Sequence, residues 1–231
     1  MNNLNKFSSR DELDQKFASQ VAQQLQTAID ANGRASIAFS GGSTPKGFFN
    51  ALSQTDIAWD KVTVTLADER WVDVKDNDSN ARLLAENLLQ NNAKQATFFS
   101  LKQDGDFDQN YLSELTKQAQ QQLLPLDVTI LGMGEDGHTA SIFPCSAQVN
   151  EGLDVTAEPA LIKVVPTTAP YERITFNFSA LINSSNLYLH IVGQSKQDVL
   201  NKALADDNAV EMPIRAFLQN DQQTCNIFWA E

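Results

Sequence analysis

The sequence predicts an α/β fold with a doubly wound, mostly parallel sheet and helices on both faces, and three features carry that prediction. Short apolar runs alternate with longer amphipathic stretches along the chain. The run at 126–131 is rich in β-branched and aliphatic residues, as expected of a buried parallel strand. Strand exits at Ser40, Asp68, Gly132 and Gly193 are small, charged or hydroxyl-bearing, and a parallel sheet would gather them at one edge, where α/β proteins bind ligands.

Each element has its own local reason. Ser9, Arg10, Asp11 and Glu12 form a capping box; Leu13, Phe17, Val21, Leu25 and Ile29 then recur at helical spacing until Gly33 stops the helix. Ala35–Phe39 is a short apolar strand, after which Thr44 suits an N-cap and Pro45 a first helical position. Val62, Val64 and Leu66 alternate as a strand that runs into the charged segment 67–72, and Asp78 or Ser79 can cap a helix through Leu89. A strand at 97–101, a turn at 103–108 and a glutamine-rich helix from Gln109 to Leu124, ended by Pro125, come next. After 126–131, residues 147–159 read as a surface loop, and 161–165, 174–178 and 187–192 as strands. A helix to about Ala205, a short one at 213–218 and a terminal strand at 225–229 complete the chain.

With 231 residues, 42% of them hydrophobic, and no repeat or linker, residues 1–231 are expected to form a single domain. A net charge of -12 argues against nucleic acid or an anionic membrane as partner, although a pocket can still concentrate a few of the 17 basic residues against a small anion. Residues 1–10 lack the apolar core of a signal peptide and no run is long enough to span a bilayer, so the expected location is cytoplasmic. Cys145 and Cys225 show no metal-ligand spacing and are expected to be reduced thiols.

Chemistry concentrates in 131–144, which places His138, Glu135 and Asp136 among three glycines after an apolar run. A neutral imidazole accepts a proton at neutral pH, so His138 is the candidate general base. Asp136, two residues earlier, could orient it or stabilise the imidazolium, with direct contact left open by the spacing, and Glu135 is expected to face solvent. His190, inside an apolar strand, reads as a hydrogen-bonded structural residue. The loop Ser40–Pro45 offers Gly41 and Gly42 for close backbone approach, the Ser43 and Thr44 hydroxyls, and a helix N-terminus that favours an anion such as phosphate. It carries neither the dinucleotide fingerprint nor the P-loop ending, so no NAD or ATP cofactor is expected. Arg70, Arg173 and Lys196 lie near strand ends or a helix start and are the basic candidates for an anionic ligand, with a surface ion pair as the alternative for each. Asp68 and Glu69 could pair with those bases or act on substrate. Two histidines on separate elements do not make a zinc site, and no metal is expected.

Ser-Gly-Gly-Ser-Thr-Pro at 40–45, Asp-Glu-Arg-Trp-Val at 68–72, the segment 132–144, Arg-Ile-Thr at 173–175 and Gly-Gln-Ser-Lys at 193–196 together resemble the 6-phosphogluconolactonase group, in order and spacing, over essentially the whole chain. That resemblance implies hydrolysis of 6-phospho-D-glucono-1,5-lactone in the oxidative pentose phosphate pathway, without a bound cofactor. Within it, Gly41, Gly42, Ser43, Thr44, Asp68, Arg173 and Lys196 are the expected substrate-binding residues; His138, Asp136 and Arg70 are the expected catalytic ones. The related glucosamine-6-phosphate deaminases share the glycine loop and Asp-Gly-His. They have an aromatic residue where this chain has Arg70 and a glutamate-bearing segment where it has Phe143. Loss of that glutamate leaves a ring-opening relay incomplete and favours ester hydrolysis. A non-catalytic sugar-phosphate sensor on the same fold would need the glycine loop but not His138. Oligomeric state is not legible in the sequence.

Overall fold

The structure, a computed structural model, describes residues 2–231. In chain order its elements are β1 (Asn2–Phe7), α1 (Arg10–Asn32), β2 (Ala35–Phe39), α2 (Lys46–Ser53), β3 (Val62–Leu66), β4 (Asp68–Arg70) and α3 (Asn80–Asn87). Next come β5 (Thr97–Phe98), α4 (Gln109–Gln122), β6 (Val128–Leu131), α5 (Val149–Gly152), β7 (Leu161–Val164), β8 (Arg173–Phe176) and α6 (Phe178–Ile182). The chain finishes with β9 (Asn186–Val192), α7 (Gln194–Leu204), α8 (Ile214–Leu218) and β10 (Cys225–Ala230).

A seven-stranded sheet runs β1-β10-β9-β6-β2-β3-β5, with every neighbouring pair parallel. The expected α/β class holds. Every residue of β2 and β6 is buried, which requires cover on both faces of the sheet. From β2 the order steps out through β3 and β5, and from β6 through β9 and β10. The switch in strand order therefore falls between β2 and β6, where a crevice opens at the carboxyl ends of the strands. Phe17 of α1 fixes the packing beside it, stacking at 4.5 Å on both Phe48 of α2 and Phe228 of β10.

The element expectations are met with instructive exceptions. Ser9 and Gly33 do cap α1, the Ser9 side chain accepting from Glu12 N–H and Gly33 adopting φ 76°. Thr44 does not cap α2: Pro45 takes that position without a side-chain bond. Only Thr97–Phe98 of the 97–101 run is strand. Strand β8 stops at Phe176 because Asn177 accepts from Ala180 N–H and starts α6. The polar N-terminal segment forms β1, an edge strand whose asparagines remain largely exposed, so no apolar alternation announces it.

The larger departure is a second sheet, β4-β8-β7, which is antiparallel throughout. Ala67 joins it to the first: its N–H donates to Phe39 O at 2.8 Å, and its carbonyl accepts from Phe176 N–H at 3.0 Å. Residues 68–70 thus leave the parallel sheet and hang over its carboxyl edge.

Candidate active site

The crevice at the switch point is an open cleft of about 240 Å³, and the site is built from its edges inward. The loop after β2 enters first. Ser40 N–H donates to Ile130 O at 2.9 Å, carrying the sheet pairing one residue past the strand. Gly41 then runs so close to Asn80 that a Cβ there would lie 1.9 Å from Asn80 Oδ1, and Gly42 takes φ +96°, so glycine is required at both positions for different reasons. Arg10 ties the far side down, donating from Nη2 to Ser43 O at 3.3 Å and Thr44 O at 2.7 Å.

The antiparallel sheet supplies the cationic wall. Its register sets Arg70 directly opposite Arg173, a like-charge pair that costs stability and that an anion between them would relieve. No carboxylate lies within ion-pair distance of either arginine among the described residues, and each keeps a buried Nε without a hydrogen-bond partner. Arg70 Nη1 donates to Asp78 O at 2.7 Å and Arg173 Nη2 to Pro170 O at 3.0 Å, so both side chains are held by carbonyls. Burial and the facing Arg70 lower the Arg173 pKa from its usual value, against the pull of Asp68.

The two acidic residues of this segment part ways. Asp68 is buried, lines the cleft and accepts from Ser141 Oγ at 2.5 Å. Glu69 points away into the start of α3, accepting from Arg70 N, Ser79 Oγ, Asn80 N and Ala81 N. It anchors a helix N-terminus, forms no ion pair with a cleft base among the described residues and is not part of the cleft lining.

The segment after β6 folds into a tight turn. Gly134 N–H donates to His138 O at 2.8 Å and Gly137 N–H to Gly134 O at 3.1 Å, with Gly137 at φ +77°. Glu135 and Asp136 occupy the tip. Asp136 Oδ1 lies 2.5 Å from His138 Nδ1 and also accepts His138 N–H at 3.1 Å, so the contact that spacing left open is direct. Burial pushes the Asp136 carboxyl up, but the hydrogen bond and charge of His138 outweigh it and leave the pKa below its usual value. Phe143 stacks on the imidazole with ring centroids 4.1 Å apart and 25° between planes. A carboxylate holding Nδ1 assigns the proton to that nitrogen. Nε2 then carries the free lone pair, and it has no hydrogen-bond partner among the described residues.

Gly41, Gly42, Ser43, Thr44, Asp68, Arg70, His138, Arg173 and Lys196 all line this one cleft, and Asp136 stands behind His138. Lys196 reaches it from the first turn of α7 and forms an ion pair with Glu135 at 2.7 Å, so Glu135 is exposed yet not idle. Sequence reading placed Ser40 at a strand exit without giving it a role, and its Oγ is buried at the cleft without a partner; it missed Asn80, whose amide donates to Asp68 O at 2.9 Å. Asn80 follows the cap residue Ser79, a signal of helix onset that says nothing of which loop it meets. His190 corrects another expectation. It is buried, but neither ring nitrogen has a hydrogen-bond partner; it packs edge-on against Phe17 and Phe48, with Asp14 3.9 Å away, and contributes to the cleft lining. Among the described residues, no group of three or more His, Cys, Asp and Glu could hold a metal ion, and no helix is long and apolar enough to cross a membrane.

Comparison with known proteins places the chain in a family. Residues 8–227 match the family model described as glucosamine-6-phosphate isomerases/6-phosphogluconolactonase. A 6-phosphogluconolactonase of Rhizobium meliloti (strain 1021) is 42% identical over 228 residues, 99% of this chain and 98% of that protein. The crystal structure of a 6-phosphogluconolactonase from Shewanella baltica OS155 superposes with a TM-score of 0.95 at 42% identity, covering 100% of this chain and 98% of that one. A putative 6-phosphogluconolactonase from Neisseria gonorrhoeae FA 1090 gives 0.91 at 39% identity, with both chains fully covered. The chain belongs to the glucosamine-6-phosphate isomerase/6-phosphogluconolactonase family.

Proposed function

We propose that this chain hydrolyses 6-phospho-D-glucono-1,5-lactone to 6-phosphogluconate, the lactonase step of the oxidative pentose phosphate pathway, with residues 1–231 acting as one domain. The observation that carries the catalytic reading is the His138 imidazole: Nδ1 is held by Asp136, Nε2 is free, and the ring lines the same cleft as two arginines without carboxylate partners. His138 Nε2 takes a proton from water as the water oxygen attacks the lactone carbonyl. Charge develops on the carbonyl oxygen, and Arg70 stabilises it. Collapse breaks the bond to the ring oxygen, which receives the proton back from His138, and the new carboxylic acid ionises to solvent. Lys196, Arg173 and the loop from Gly41 to Thr44 hold the phosphate, while Asp68 orients a sugar hydroxyl.

Phe143 favours this reading over deamination. It covers a face of His138 where the deaminase pattern brings a glutamate, so Asp136 is the carboxylate that serves the ring. Acid release from freshly prepared lactone, measured beside ammonia release from glucosamine 6-phosphate, is the test. Acid without ammonia is expected. Ammonia release would establish the deaminase, and tight phosphosugar binding with neither activity would establish a sensor.

A further inference from the structure

Lys196 and Glu135 meet across the mouth of the cleft, Nζ to Oε1 at 2.7 Å. The lysine side chain is 21% exposed and the carboxylate 66%. Their settings differ in kind. Lys196 is a cleft-lining cation at the start of α7, whereas Glu135 sits at the tip of the glycine turn, its neighbour Asp136 committed to His138. The turn is closed by its own backbone bonds from Gly134 to His138 and from Gly137 to Gly134, so its shape does not depend on the ion pair.

We propose that Glu135 is an internal competitor for the substrate phosphate: its carboxylate occupies Lys196 in the empty site, a phosphate dianion displaces it, and it returns to Lys196 as product leaves. The inference rests on the reading of Lys196 as a phosphate ligand. An exposed pair of this kind is weak, which suits a partner that must be exchanged in every turnover. Hydrolysis turns a neutral ester into a carboxylate and so makes the product more anionic than the substrate. A negative side chain at the mouth therefore disfavours the product more than the lactone. Glu135 is in this sense a positioning residue for Lys196 that tunes anion affinity and takes no part in bond making.

The test is competitive inhibition of lactone hydrolysis by inorganic phosphate in the full chain, for the parent, Glu135→Gln, Lys196→Ala and the double variant. Glu135→Gln should tighten phosphate inhibition by about two- to fivefold, within the range an exposed ion pair spans, and leave kcat within about twofold of the parent. In the Lys196→Ala background the same change should have a clearly smaller effect, leaving only the direct repulsion between Glu135 and the anion. The proposal is overturned if Glu135→Gln leaves phosphate affinity unchanged or weakens it, or if it tightens binding equally when Lys196 is absent, which would mark a general field effect. A distinct failure is a Lys196→Ala variant with undiminished phosphate affinity. That outcome removes the phosphate-ligand reading itself, and the competitor role with it.

Discussion

His138 depends on one neighbour for its direction: the Asp136 carboxylate, held below its usual pKa, remains charged throughout the range in which an imidazole titrates. His138→Ala should lower kcat by about 10²- to 10⁴-fold and change KM little, and Lys196→Ala should mainly raise KM. Steady-state kinetics on fresh lactone separates the two, and equal small effects from both would refute the assigned roles. A second pair lies buried nearby. Burial, opposed by Arg10, raises the Asp14 pKa to about 6; burial, reinforced by Arg10, lowers that of His190 to about 3. For Asp14 the native state binds the extra proton, so stability falls as pH rises through the interval from about 4 to about 6. For His190 the unfolded state binds it, so stability rises with pH between about 3 and 6.5, and the two slopes oppose each other. Asp14→Asn should therefore raise Tm at pH 7.5, by removing a buried charge, and steepen the loss of stability on acidification from pH 6.5 to 4. Thermal unfolding across that range checks it; a slope equal to the parent's would show that Asp14 does not titrate there.

Elements deliver these residues through their termini, and glycine positions decide how closely. A Cβ at Gly134 would lie 2.1 Å from His138 Nδ1 and 2.6 Å from Asp136 Oδ1. Gly134→Ala should thus displace the imidazole from its carboxylate and cut kcat by about 10²-fold or more, with circular dichroism unchanged. The start of α3 gives a complementary case. Glu69 gathers three backbone N–H groups and the Ser79 hydroxyl, and the same helix start carries Asn80, which braces the backbone of Gly41 and Asp68. Replacing it by glutamine sets an amide N–H₂ against donors. Glu69→Gln should cost about 2–4 kcal/mol of stability, read by denaturant unfolding, and raise KM as Asn80 and Arg70 lose their setting. A stable variant with a parental KM would show that this buried carboxylate does not organise the cleft wall.

At the scale of the molecule, the cleft exists because two sheets of different habit meet. The parallel sheet presents the ends of β2 and β6 at its switch point; the antiparallel sheet brings Asp68, Arg70 and Arg173 over them, although the two arginines lie 103 positions apart in sequence. The opposite edge is structural. Strand β1 pairs along the full length of β10 and covers an otherwise open edge, and none of its residues lines the cleft. Deleting residues 2–7 should lower Tm and promote aggregation through the exposed β10, while the folded fraction keeps its KM. Light scattering during heating, paired with kinetics on the soluble fraction, tests both halves.

The sequence by itself determined the alternation of elements, the capped α1, the glycine loop before α2 and the Asp-Gly-His turn, because capping, period and glycine placement act within a few residues. The same locality explains why His138, Arg70, Arg173 and Lys196 were recognisable as a set of candidates. Tertiary structure alone decided that 68–70 leaves the parallel sheet to face 173–176, that Glu69 turns to α3 and not to the cleft, that Asn80 buttresses Gly41, and that Glu135 meets Lys196. Those outcomes depend on side-chain pairings across tens to more than a hundred residues, set by packing and strand register, which no local pattern encodes.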